Sequence, residues 1–142
     1  MRILAVDPGT KRVGLAVSDP TGTIATAVAT LAAEPVGTLP ARIATAAREH
    51  EAERILVGLP LRMDGKRGPE AAAAERLASD VRQAAGLPVE TIDERLTSVA
   101  AERSLIEGGV RRDKRRASVD RVAAVLLLQG YLDRQRSSKR AG

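Results

Sequence analysis

The hydrophobic pattern opens with three short runs of β type. Arg2 to Asp7 (RILAVD), Val13 to Ser18 (VGLAVS) and Thr23 to Thr30 (TIATAVAT) are separated by Pro8-Gly9-Thr10-Lys11-Arg12 and by Asp19-Pro20-Thr21-Gly22. Both separators carry turn chemistry, so the three runs predict an antiparallel meander. From Leu39 to Glu53 the period changes, with Leu39, Ile43, Ala46 and Ala47 at helical spacing. Arg54 to Leu59 (RILVGL) then reads as a buried strand and Pro60 to Gly68 as a polar loop. Glu70 to Ala85 reads as a helix, with Pro69 suited to its first turn and Gly86 to its end. Leu87 to Ile92 is a fifth strand.

Beyond it, a helix beginning near Thr97 or Ser98, where Glu102 is placed for a capping-box-like contact, runs to Gly108-Gly109. Val110 to Ala117 (VRRDKRRA) is a basic loop. A last helix begins near Ser118 and carries Val122, Val125, Leu126 and Leu128 to about Asp133. Residues 134–142 form a polar, basic tail expected to be disordered. The order βββαβαβαα predicts an α/β fold with a mixed five-stranded sheet, a three-strand meander followed by alternating helices and strands, and helices on the sheet faces. A single domain over 1–133, with no linker and no internal repeat, accommodates all of it.

Composition narrows the chemistry. Among 142 residues there is no Cys, no Trp, no Phe, one Tyr and one His. Zinc sites built from Cys and His, haem ligation, thiol nucleophiles and redox pairs are therefore excluded. His50 lies in an acidic, helix-like stretch away from any nucleophile motif and reads as a solvated helix residue. Carboxylates, hydroxyls, Lys and Arg remain, and a metal held by oxygen ligands would be Mg²⁺ or Mn²⁺. No apolar run approaches the roughly 20 residues of a membrane span, and Met1-Arg2-Ile3 leads directly into a strand, so a cytoplasmic protein without membrane attachment is expected.

The net charge of +5 is unevenly placed. Residues 1–110 carry 13 basic and 15 acidic side chains, whereas residues 111–142 carry 10 basic and 3 acidic. A near-neutral body with a basic final quarter points to a polyanion partner. With almost no aromatic side chains, base stacking cannot hold it.

Three acidic positions stand out. Asp7 closes the first run before a turn, where open α/β sheets place their ligands, although a turn residue serving backbone N–H groups is the alternative. Asp93 and Glu94 end the fifth run, and Arg95 could balance them as a surface ion pair. Asp120 follows five basic residues at 111–116 and, in the first turn of a helix, also suits the helix dipole. Taken together, carboxylates at two strand ends and one helix start could converge on a divalent metal and support phosphodiester hydrolysis without His or Cys. Lys11, Arg12, Arg62, Lys66, Arg67, Arg95 and the run containing Lys114, Arg115 and Arg116 would then contact a nucleic-acid backbone. No GxxxxGK[ST] loop is present, and no GxGxxG follows a strand.

Four segments, in order, resemble the YqgF family. They are Asp7-Pro8-Gly9-Thr10-Lys11-Arg12-Val13-Gly14-Leu15-Ala16-Val17-Ser18-Asp19; Val57-Gly58-Leu59-Pro60 with Asp64-Gly65; Asp93-Glu94-Arg95-Leu96-Thr97-Ser98; and Asp120-Arg121-Val122-Ala123-Ala124 leading to Leu128-Gln129-Gly130-Tyr131-Leu132. Bacterial members are described as pre-16S ribosomal RNA nucleases and, earlier, as Holliday junction resolvases. The resemblance runs from Met1 to about Leu132. It implies an RNase H-like fold and an acidic Mg²⁺ or Mn²⁺ site on Asp7, Glu94 and Asp120. Strand alternation sets Asp93 and Glu94 on opposite faces, so only one of them can join the site.

The leading expectation is thus a metal-dependent nuclease that processes the 5′ end of 16S ribosomal RNA precursor, acting as a monomer or homodimer. A DNA junction resolvase shares the chemistry but needs a dimer with two sites. A sugar-kinase-like ATPase shares the Asp-x-Gly-Thr turn, yet needs two domains and hence a longer chain. A non-catalytic RNA-binding module acting in rRNA maturation or transcription would use the basic quarter alone.

Overall fold

The computed structural model describes residues 1–9, 11–60, 66, 68–94 and 123–136. Five strands, β1 (Ile3–Pro8), β2 (Arg12–Ser18), β3 (Ala25–Ala32), β4 (Arg54–Leu59) and β5 (Val89–Asp93), form one sheet in the order β3-β2-β1-β4-β5. β1, β2 and β3 are the antiparallel meander that the first three runs predict. β4 and β5 add on the other side of β1, both parallel to it. Parallel neighbours require crossovers, and α2 (Pro69–Ala85) lies between β4 and β5 in the chain. The mixed sheet predicted from the element order is the one observed.

Alternation divides the strand residues between two cores. Leu4, Val6, Val13, Leu15, Ile55 and Val57 pack on α1 (Leu39–Glu49) and α2 through Ile43, Ala47, Ala74, Ala78 and Val81. Ile3, Ala5, Ala16, Leu56 and Ile92 pack on the C-terminal helix, covering 123–136, through Ala123, Ala124, Leu127, Leu128, Tyr131 and Leu132. The helices therefore cover both faces. Buried on both sides, β1 and β4 read as unbroken apolar runs in the sequence.

Several boundaries differ from those predicted, for local reasons. β3 starts at Ala25 rather than Thr23, because the Asp19 carboxylate accepts the Thr23 and Ile24 N–H groups at 2.7 and 2.8 Å and holds them in the turn. α1 stops at Glu49 rather than Glu53. Glu51 adopts φ 54°, and the Ala52 N–H reaches back to the Ala47 carbonyl, turning the chain into β4. His50 is the cap of that helix. β5 starts at Val89 because Pro88 has no N–H to give; its carbonyl accepts Ile55 N–H at 3.0 Å. α2 has the predicted Pro69 at its first position and Gly86 at its end in the left-handed conformation, φ 67°.

The C-terminal helix continues through residue 136, so 134–136 are not part of a disordered tail. Arg136 closes onto Asp133 one turn earlier at 2.6 Å, which favours the extra turn. The expected helix from 97 to 109, the basic loop at 110–117 and the start of the last helix at 118 lie outside the described residues. No helix among the described residues is long and apolar enough to cross a membrane.

Candidate active site

Because β1, β4 and β5 are parallel, their C-terminal ends meet at one edge of the sheet. Asp7 stands one residue before the end of β1, in register with Gly14 of β2. It is fully buried, Oδ1 included. Asp7 is thus an interior strand residue, not a turn residue, and its alternation with Ile3 and Ala5 sets it on the face covered by the C-terminal helix. Burying a carboxylate is expensive unless a cation or hydrogen-bond donors compensate.

Glu94 follows the last residue of β5 and is 8% exposed. Its side chain leans inward across β4: a Cβ built on Gly58 would lie 2.9 Å from Glu94 Oε1 and 3.1 Å from Leu127 Cδ2. Leu127 belongs to the core shared with Ile3, Ala5 and Leu56, so Glu94 occupies the same face as Asp7. Asp93, still within β5, alternates to the opposite face and is in register with Leu59. Of the two carboxylates left open by the sequence, Glu94 is the one that shares a face with Asp7.

The register also shows why Glu94 has room. Val6 pairs with Val57, so the next position of β4, Gly58, lies beside Asp7, while Gly14 lies on its other side. At Gly58 the missing side chain leaves the space over the sheet to the Glu94 carboxylate. Sequence reasoning assigned neither glycine a role, although a Gly within a buried strand such as RILVGL signals close approach of another group.

The other predicted residues distribute as follows. Arg12 begins β2 at the same edge, and alternation with Gly14 and Ala16 sets it on the Asp7 face, half-buried. Lys11 is exposed in the β1–β2 turn, where its carbonyl accepts Ala33 N–H at 2.9 Å. Lys66 is exposed in the β4–α2 connection. Asp120, Arg62, Arg67, Arg95, Lys114, Arg115 and Arg116 lie outside the described residues. Among the described residues no three His, Cys, Asp or Glu side chains form a group able to hold a metal. The donor set nonetheless fits a hard cation: two buried carboxylates, on one face, at one sheet edge.

The C-terminal helix is fixed to the sheet by polar contacts that sequence reasoning also missed. Gln129 Oε1 accepts Ala25 N–H at 2.9 Å, and Nε2 donates to the Thr23 carbonyl at 2.9 Å and to Asp133 at 3.0 Å. Four residues from Leu127, Tyr131 accepts from Arg54 at 3.2 Å and donates to Glu90 at 3.3 Å. Arg54 and Glu90 lie at the starts of β4 and β5, so the helix runs antiparallel to those strands, with its earlier residues toward the Asp7 edge.

A meander continued by two parallel strands, with acids at the ends of the first and last parallel strands, defines a protein of RNase H-like fold. Solved structures that share this fold along nearly the whole chain include two that act on, or are named for, Holliday junctions. The Thermus thermophilus RuvC in complex with Holliday junction substrate matches with TM-score 0.61 at 18% identity, over 95% of this chain and 96% of that one. The fowlpox virus Holliday junction resolvase matches with TM-score 0.55 at 15% identity, over 94% and 99%. The RuvX family model, described as Holliday junction resolvase, matches residues 1–134. Among the relatives that carry the name "Putative pre-16S rRNA nuclease" are two that match nearly the whole chain. The Myxococcus xanthus protein is 45% identical over 136 residues, 96% of this chain and 90% of that protein. The Moorella thermoacetica protein is 43% identical over 134 residues, 94% and 96%. The chain belongs to the RuvX family, also called YqgF, in agreement with the resemblance of its four motifs.

Proposed function

We propose that this chain is a divalent-metal-dependent nuclease that processes the 5′ end of 16S ribosomal RNA precursor, with one catalytic domain, expected over 1–133 and extended to 136 by the last helix. The observation that carries this reading is the pair of buried carboxylates, Asp7 and Glu94, on one face at the common end of β1 and β5. The names carried by relatives above 40% identity support the RNA substrate. Work on ribosomal RNA precursor implies the cytoplasm.

Asp7, Glu94 and Asp120 would hold Mg²⁺ or Mn²⁺. Asp120 lies outside the described residues and is assigned by the motif Asp120-Arg121-Val122-Ala123-Ala124. A metal bound there would supply Lewis acidity for phosphodiester hydrolysis. The chain itself shields Asp7 from bulk water within β1, on the sheet face that the C-terminal helix covers, and sets Glu94 by its position directly after β5. Arg12 on the same face, with Lys11, Arg62, Lys66, Arg67, Arg95, Lys114, Arg115 and Arg116, would bind phosphates on either side of the scissile bond.

The family model's description and the resolvase fold neighbours favour a second reading, cleavage of four-way DNA junctions by a dimer. Parallel assays of precursor RNA and junction DNA with wild type and Asp7→Asn decide the matter. Metal-dependent cleavage of RNA that disappears in Asp7→Asn is the expected result. Cleavage of junctions alone reverses the substrate assignment. Full activity in Asp7→Asn removes the carboxylate site, and a wild type that binds but cuts neither substrate leaves a binding module.

A further inference from the structure

We infer that Gly58 is a positioning residue for the metal site: the missing side chain on β4 is what lets the Glu94 carboxylate reach toward Asp7. This rests on the metal-nuclease reading above and adds a residue to it. Adjacent strands are separated by about 4.8 Å, so β1 and β5, with β4 between them, are separated by about twice that. An acid on β5 can share an ion with an acid on β1 only by crossing β4. Glu94 makes that crossing over Gly58, with Oε1 2.9 Å and Cγ 3.5 Å from where a Cβ would stand.

The crossing has no spare room. Leu127 Cδ2 lies 3.1 Å from the same point, so the Glu94 carboxylate and a fully buried leucine together fill the space that a side chain at 58 would need. A methyl group at 58 would force Oε1 back by roughly half an ångström or more to reach an ordinary C···O contact. Mg²⁺ demands oxygen ligands at about 2.0–2.1 Å in near-ideal octahedral geometry, so a displacement of that size is felt in coordination before it is felt in folding. Gly58 is not one of the positive-φ positions of the chain, so the requirement is for space and not for backbone freedom.

The test is Mn²⁺ binding to the intact chain, measured by titration calorimetry without nucleic acid and paired with urea unfolding of the metal-free protein. Gly58→Ala is expected to remain folded and to weaken Mn²⁺ binding about 10–100-fold, the range typical for groups that orient metal ligands. Glu94→Asp retracts the carboxylate from above Gly58 without touching β4 and is expected to weaken binding similarly. Combining the two should cost much less than the product of the single effects, since both remove the same placement. Should Gly58→Ala fail to fold, Glu94→Asp carries the test alone. Wild-type affinity in a folded Gly58→Ala, or in Glu94→Asp, overturns the inference while leaving the nuclease reading standing. A wild type that neither binds Mn²⁺ nor cleaves overturns the nuclease reading, and the role of Gly58 falls with it.

Discussion

Gln129→Ala tests whether the C-terminal helix is held in place by side-chain pairing to the meander. In the native chain the Gln129 amide completes two backbone groups at the start of β3, the Ala25 N–H and the Thr23 carbonyl, both at 2.9 Å and both partly buried. Truncation leaves a donor and an acceptor without the partner that replaced water. A net contribution of about 0.5–1.5 kcal/mol per bond, moderated by partial access of water, gives a loss of about 1–3 kcal/mol. With a urea slope of about 2 kcal/mol/M, typical for a domain of this size, the unfolding midpoint should fall by about 0.5–1.5 M. Gln129→Glu supplies the control. It keeps the acceptor for Ala25 but sets a carboxylate against the Thr23 carbonyl and Asp133, so its destabilisation should shrink as pH falls and the new acid protonates. Gln129 is also the foremost cause holding the Asp133 carboxyl below its ordinary value near 3.8, ahead of Arg136. In Gln129→Ala that titration, followed by NMR, should move upward. A midpoint shift under about 0.2 M, with Asp133 titrating as in wild type, would refute this account of helix docking.

Two further outcomes follow from charge. The Asp19 carboxyl is held well below its ordinary value, first by the Ile24 N–H, then by the Thr21 hydroxyl and the Thr23 N–H. A depressed folded pKa adds stability that is present above the unfolded value near 3.8 and is lost as pH falls toward the folded one. Urea midpoints measured from about pH 7 to about pH 2 should therefore fall less steeply below about pH 4 in Asp19→Ala than in wild type; parallel acid limbs would contradict this. Replacing Lys114, Arg115 and Arg116 by Ala should weaken nucleic-acid binding and flatten its salt dependence, by about one unit of log–log slope for each phosphate no longer neutralised. Unchanged slope would place those residues off the binding path.

Much of the architecture is readable from the sequence, because the strands here are short runs of Val, Leu, Ile and Ala bounded by Pro-Gly, Asp-Pro and Gly turns. β4 begins and ends where the pattern RILVGL does, and α2 lies between Pro69 and Gly86 as helix-end chemistry dictates. The boundaries that moved did so through contacts with no periodic signature. Asp19 captured two amides that would otherwise extend β3, and Arg136 added a turn to a helix by pairing with Asp133.

The carboxylates themselves were also legible, since an inventory without Cys, and with one His far from any nucleophile motif, leaves few other groups for phosphate chemistry. Alternation alone could say that Asp93 and Glu94 face opposite ways, because a strand's side chains repeat every two residues. It could not say which of them shares a face with Asp7. That depends on the register of β1 against β4 and of β4 against β5, and on which sheet face the C-terminal helix covers, all long-range pairings. Tertiary structure likewise gave Gly58 its meaning. A glycine in a strand is only an absence in the sequence; it becomes space for a carboxylate once its neighbours across the sheet are known.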